Sequence, residues 1–198
     1  MRKVTLQGVA RMTSNRMMNQ IFVELSSKAS EGLWEDIGRY IDANPEIAKW
    51  NDEYSETLLI ILAGYPGSDR LLRKLIELGA DVNKTTLEGE TALTTAILGG
   101  SLYGLTTLPE METLLKLGAH TNFIGPSGNP PLHWAVVHNR PDHVKLLIRY
   151  GADPYMKTAD LYPEDAFEIA QKSSNRILLD ILNESRSIRS MGSDSIDQ

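Results

Sequence analysis

No cysteine occurs among the 198 residues, so disulfides and thiolate metal sites are excluded and packing must hold the fold. The redox state of the compartment is left open by that absence. Long apolar runs are missing too: no segment approaches the roughly 18 to 20 residues of a membrane span. Residues Met1 to Gln20 carry Arg2, Lys3, Arg11 and Arg16 and no apolar stretch of signal-peptide length before Ile21. A cytoplasmic protein without a membrane role is the expectation. Positive charge is in deficit, 20 Lys and Arg against 26 Asp and Glu, for a formal net charge of -6. Such a surface suits neither a nucleic acid nor an anionic membrane, and favours a basic protein partner. Neither a Gly-x-x-x-x-Gly-Lys phosphate loop nor a Gly-x-Ser-x-Gly elbow is present.

What is present recurs. Gly79-Ala80-Asp81-Val82-Asn83 returns as Gly118-Ala119-His120-Thr121-Asn122 and as Gly151-Ala152-Asp153-Pro154-Tyr155, each time after a Leu-rich stretch, at separations of 39 and 33 residues. A period near 33 residues describes small helical units packed in series, with one exposed edge available for binding. The helix starts align as well. Thr91-Ala92-Leu93-Thr94-Thr95-Ala96 follows Gly89, and Pro130-Pro131-Leu132-His133-Trp134-Ala135 follows Gly128 at the same offset.

On these residues the chain resembles the ankyrin repeat family, whose signature is Gly-x-Thr-Pro-Leu-His-x-Ala, a short helix, a turn, a second helix with Leu-Leu, then Gly-Ala-Asp. The resemblance runs from about Gln20 to Asn183 and implies an all-α fold, a solenoid of helix-turn-helix repeats with short hairpin loops. The template has physical reasons. Thr at its first position can accept from free amides of the opening helical turn, Pro at the next needs no amide partner, and Gly ends the second helix in a left-handed conformation. Leu132, Ala135 and Val136 give one apolar stripe, and Val144, Leu147 and Ile148 give another on the following helix.

Weaker units flank these. Thr57-Leu58-Leu59 starts a helix 34 residues before Thr91, with Leu71, Leu72, Leu75 and Ile76 in its partner. Upstream, Ala29 to Gly32 followed by Trp34, Ile37, Tyr40 and Ile41 reads as the end of another pair. Downstream, Asp165 begins a helix 35 residues after Pro130, with Ile177 to Leu182 in its second helix. About five repeats are expected over residues 20–184, preceded by a segment over 1–19 with the potential to cap them and followed by a flexible tail over 185–198. Atypical end units fit a series whose ends face water.

The irregularity is informative. Gly99 to Pro109 lengthens the third repeat between its helices and contains Leu102, Tyr103 and Leu105, which either dock a partner or fold back on their own helices. The second reading is favoured, since monomers rarely expose apolar clusters. The resemblance also implies a concave face built from hairpin tips and inner-helix ends, with which family members usually bind proteins. By template position the tips are Asp52, Glu53, Tyr54 and Glu56, then Thr85, Leu87, Glu88 and Glu90. Phe123, Pro126, Ser127 and Asn129 follow, and Tyr155, Asp160, Tyr162 and Glu164 come last. Carboxylates would speed encounter with a basic partner and aromatic groups would anchor it. The partner-binding candidates are Asp52, Glu53, Tyr54, Glu56, Leu87, Glu88, Glu90, Phe123, Tyr155 and Tyr162, with Leu102, Tyr103 and Leu105 of the insertion.

Catalytic groupings are not evident. The resemblance gives His133 the role of tying hairpin backbone to helix. His138 and His143 straddle the turn Asn139-Arg140-Pro141 and lack the one-turn spacing of a helical zinc pair. No catalytic residue, metal or cofactor is therefore expected. The leading function is a protein-interaction module, monomeric when free, that inhibits or scaffolds its partner. An alternative is a bacterial immunity or antitoxin protein that neutralises a toxic enzyme, a role known for small ankyrin-like proteins; a metal-binding or enzymatic protein ranks third.

Overall fold

The structure is a computed structural model, and it describes residues 6–99, 106–126, 128–159 and 161–193. Ten α-helices form among them, with no β-structure beyond one isolated antiparallel pairing of Asn51 with Thr57. The chain divides into two compact units after Gly118. In the first lie α1 (Leu6–Ser30), α2 (Trp34–Ala43), a 3-10 turn (Pro45–Lys49), α3 (Leu58–Ala63), α4 (Asp69–Glu77), α5 (Ala92–Leu98) and α6 (Leu108–Lys116). In the second lie α7 (Pro131–Val137), α8 (Pro141–Arg149), α9 (Ala166–Lys172) and α10 (Arg176–Ser193).

Caps set the short helices. Thr57 accepts from the Ile60 amide at 3.2 Å, and Thr91 with Thr94 closes a reciprocal capping box. Asp165 does the same with Glu168, so the degenerate last repeat starts as firmly as the others. Gly79, Gly118 and Gly151 follow the second helices with φ of +96°, +94° and +86°, the left-handed conformation that the motif predicts. The apolar stripes then meet. In the first unit α3 packs on α5 and α4 on α6, burying Leu59, Leu62, Leu72, Leu75, Ala96, Ile97 and Leu114. In the second, α7 packs on α9 and α8 on α10 around Leu132, Ala135, Leu147, Ala170 and Leu182.

At both ends a helix crosses a boundary drawn from the sequence. A break between residues 19 and 20 is not seen: α1 runs through it, because nothing from Val9 to Glu31 is Pro or Gly, and the helix stops only before Gly32 with φ +72°. Phe22, Leu25 and Ala29 bury its inner stripe against the repeats. The expected tail starts inside α10, which continues to Ser193; Ser185 is buried and its hydroxyl donates to the Leu182 carbonyl at 2.6 Å. Few large apolar residues does not mean a helix breaker, and the stretch has no Pro.

Asparagine side chains link successive motifs. The Asn83 amide donates to the Gly118 carbonyl at 3.1 Å, and Asn122 donates to the Gly151 carbonyl at 3.0 Å while accepting from the Asp153 amide at 2.8 Å. The fifth residue of one motif thus grips the first residues of the next. In the first unit, fully buried Glu110 of α6 reaches back to the start of α4, where its Oε1 accepts from the Gly67 amide at 2.7 Å and the Ser68 amide at 3.1 Å. Ser68 does not cap α4 itself; its hydroxyl donates to the Leu62 carbonyl instead. A carboxylate from the next repeat stands in for the missing cap.

Candidate functional site

The finger tips form by local hydrogen bonding. Asp52 Oδ1 accepts from the Tyr54 and Glu56 amides, both at 2.8 Å, while the Asp52 amide donates to the Glu56 carbonyl at 3.0 Å. The next finger closes similarly: the Thr86 amide donates to the Glu90 carbonyl at 2.9 Å and the Glu90 amide to Thr86 Oγ1 at 3.1 Å. The Leu87 amide donates to the Tyr54 carbonyl at 2.9 Å, which joins the two tips edge to edge. In the second unit the Ala159 amide donates to the Gly128 carbonyl at 2.8 Å in the equivalent way, and the Thr158 amide to the Glu164 carbonyl at 3.0 Å. His133 Nε2 lies 2.8 Å from that same Glu164 carbonyl and ties the helix to the finger.

A cleft of about 690 Å³ opens in the first unit between α1, the two fingers and the C-terminal ends of α3 and α5. Asp52, Tyr54, Glu56 and Glu90 line it together, so four candidates read from the sequence converge on one site. Burial, and then the neighbouring carboxylates of Asp52 and Glu90, push the Glu56 carboxyl above its usual range. No ion pair to Asp52, Glu56 or Glu90 forms among the described residues. Tyr54 and Leu87 are 61% and 65% exposed at the joined tips. Glu53 is exposed and accepts from the Asn19 side chain at 3.1 Å, which pins α1 to the finger; Glu88 stands exposed beside Leu87.

The second unit holds the other aromatic candidates. Tyr155 stacks on Phe167 with ring centroids 5.3 Å apart, so much of its surface is spent within its own repeat, and Phe123 is half-buried. Tyr162 is 77% exposed. Leu102, Tyr103 and Leu105 lie outside the described residues, as do Ser127 and Asp160. Two contributors were not read from the sequence. The wall supplied by α1, with Phe22 and Val23, was missed because Val23 falls off the helix's buried stripe; an apolar residue off-stripe was the available signal. Leu161, 84% exposed beside Tyr162, was missed because the template gives it no role.

His138 stacks on Trp134 at 5.8 Å, whereas His143 is buried in α8. Burial, then the nearby Arg140 charge, lowers the His143 imidazole to about 4, so it is neutral at physiological pH. Among the described residues no group of three or more His, Asp or Glu is arranged to hold a metal ion, and no helix is long and apolar enough to cross a membrane.

The family model for ankyrin repeats, in three copies, matches residues 49–158, more than half of the chain. The chain belongs to the ankyrin repeat family. Similar proteins include an intracellular phospholipase A2 of Caenorhabditis elegans, 30% identical over 83% of this chain and 15% of its own length. A palmitoyltransferase AKR1 of Candida glabrata is 36% identical over 48% of this chain and 11% of its own. The ankyrin repeat protein FPV031 of fowlpox virus is 31% identical over 63% and 36% respectively. The chain thus spans only a minor part of each of these relatives. Ankyrin repeats are generally protein-protein interaction modules rather than catalytic ones. The matched span starts after α1 and α2, so the α1 wall of the cleft lies outside the shared ankyrin core.

Proposed function

We propose that this ankyrin repeat chain binds a basic protein partner through its finger tips and inner-helix ends, and that it acts by inhibiting or scaffolding that partner. The observation that carries the reading is the adjacency of exposed Tyr54 and Leu87 to three carboxylates, those of Asp52, Glu56 and Glu90, without an ion pair among the described residues. Apolar tips in water are unfavourable alone and become anchors when covered, while unpaired carboxylates steer a basic surface toward them. Tyr162 and Leu161 offer a second apolar tip in the other unit. Phe123 and Tyr155 join it with less free surface, and Leu102, Tyr103 and Leu105 belong to the proposal on sequence alone.

Charge reversal at Glu53, Glu56, Glu88 and Glu90 together is expected to weaken binding to a co-purified partner at least tenfold and to flatten its salt dependence, because charges at this surface are screened over roughly 8 to 10 Å. Titration calorimetry across a salt series reads both. Unchanged affinity and slope would remove the acidic face from the proposal.

A further inference from the structure

We infer that the cleft between α1 and the first two fingers is a socket for an arginine side chain flanked by apolar residues in an extended segment of the partner. The inference rests on the protein-binding reading and narrows it to one place and one chemistry. Its volume, about 690 Å³, falls within the roughly 300 to 1,000 Å³ of ligand-sized sites, enough for more than one side chain. The lining is more apolar than polar, with Phe22 and Val23 on the α1 side and Tyr54 on the finger side; Val23 is 70% exposed although it sits beside buried Phe22. An apolar wall of this kind needs an apolar occupant.

Charge specifies the rest of that occupant. Asp52, Glu56 and Glu90 share the cleft, and burial first, then the charges of Asp52 and Glu90, raise the Glu56 carboxyl. A cation between them relieves that repulsion. Two further oxygens of lining side chains, Asn19 Oδ1 and Thr95 Oγ1, are buried without a hydrogen-bond partner. Of the cationic side chains, arginine matches best, since its planar guanidinium presents five N–H donors and bonds carboxylates in bidentate fashion. The apolar neighbours of that arginine cover Val23 on one side and Tyr54 with Leu87 on the other.

One wall of the site, supplied by α1, lies outside the span matched by the three ankyrin repeats. Asp52 is held to its own finger by two amides, so it fixes the geometry, whereas the Glu56 and Glu90 carboxylates accept none of the hydrogen bonds that close the fingers. Those two are the groups to change.

The test uses the full chain and two peptides, acetyl-Gly-Leu-Arg-Leu-Gly-amide and the same sequence with citrulline, a neutral isostere, in place of arginine. Assigned amide spectra are followed during titration. Saturable shifts at Tyr54, Glu90 and Thr95, with the citrulline peptide at least tenfold weaker, are expected. The Glu56→Gln, Glu90→Gln double variant should lose the preference for arginine while keeping a dispersed, folded spectrum, and Tyr162→Ser should leave it intact. Equal binding of the two peptides, or shifts confined to residues remote from the cleft, overturns the socket. If the peptides fail but a protein partner still depends on Tyr54 and Leu87, the socket is wrong and the interaction reading stands; if that partner ignores both residues, the broader reading falls as well.

Discussion

Replacing Glu110 separates its two roles, acceptor and buried charge. In Glu110→Ala the Ser68 amide, on a fully buried residue, loses its acceptor at a cost of roughly 1 to 3 kcal/mol; the Gly67 amide, on a more exposed turn, turns to water and costs less. Losing the one buried methylene that alanine lacks adds roughly 0.8 kcal/mol. Relief from holding a carboxyl in a dry site offsets part of this, leaving a net loss of about 3 kcal/mol. Glu110→Gln keeps an oxygen for both amides and is expected within about 1 kcal/mol of the parent at neutral pH. Burial first of all raises the Glu110 carboxyl, against the lowering effect of its backbone hydrogen bonds. A raised folded pKa contributes stability that is fully present below the unfolded value and is lost as pH rises through the folded one. The parent should therefore gain on the Gln variant as pH falls toward the ordinary carboxylate range, and lose that gain toward neutrality. Urea unfolding at several pH values gives the totals, and hydrogen exchange at Gly67 and Ser68 gives the local effect. Equal loss of stability in Ala and Gln variants, or no faster exchange at Ser68 in the Ala variant, would refute the borrowed cap.

Two further outcomes concern the second unit. His143, held at about 4 by burial, stays neutral in the folded state while the unfolded chain takes up a proton near 6.5, so stability falls as pH drops from 6.5 to 4, by up to about 3 kcal/mol. His143→Gln should flatten that part of the pH profile, and an unaltered slope in urea unfolding would show that other groups set it. Asn122→Ala removes the exposed bonds to Gly151 and Asp153, whose partners turn to water, and is expected to cost roughly 0.5 to 1.5 kcal/mol, with faster exchange at the Asp153 amide. Protection there equal to the parent's would mean that the backbone finds its own partner.

Local chemistry was legible where a residue acts on its own neighbours. Thr57, Thr91 and Asp165 announce helix starts, and Gly79, Gly118 and Gly151 announce helix ends, because a cap or a left-handed turn is decided within about four residues. Contacts made across repeats were less legible. Glu110 looks like an ordinary first-turn acid of α6, and only the packing of α6 on α4 brings it to Gly67 and Ser68, 43 and 42 residues away. The candidate site shows the same division. The repeat template places Asp52, Tyr54, Glu56 and Glu90 at finger tips, whereas the α1 wall was hidden because the weak first unit assigns no role to Phe22 and Val23 lies off the buried stripe.

The asparagine links have a polarity. Asn83 and Asn122 each hand a proton forward to a glycine carbonyl in the following motif, but the third motif carries Tyr155 at that position, stacked on Phe167. The motif-to-motif links therefore stop at Asp153, and the last repeat is joined to its predecessor by other means: α9 packs on α7, α10 on α8, and the Asn175 amide donates to the Asn139 side-chain oxygen at 2.7 Å.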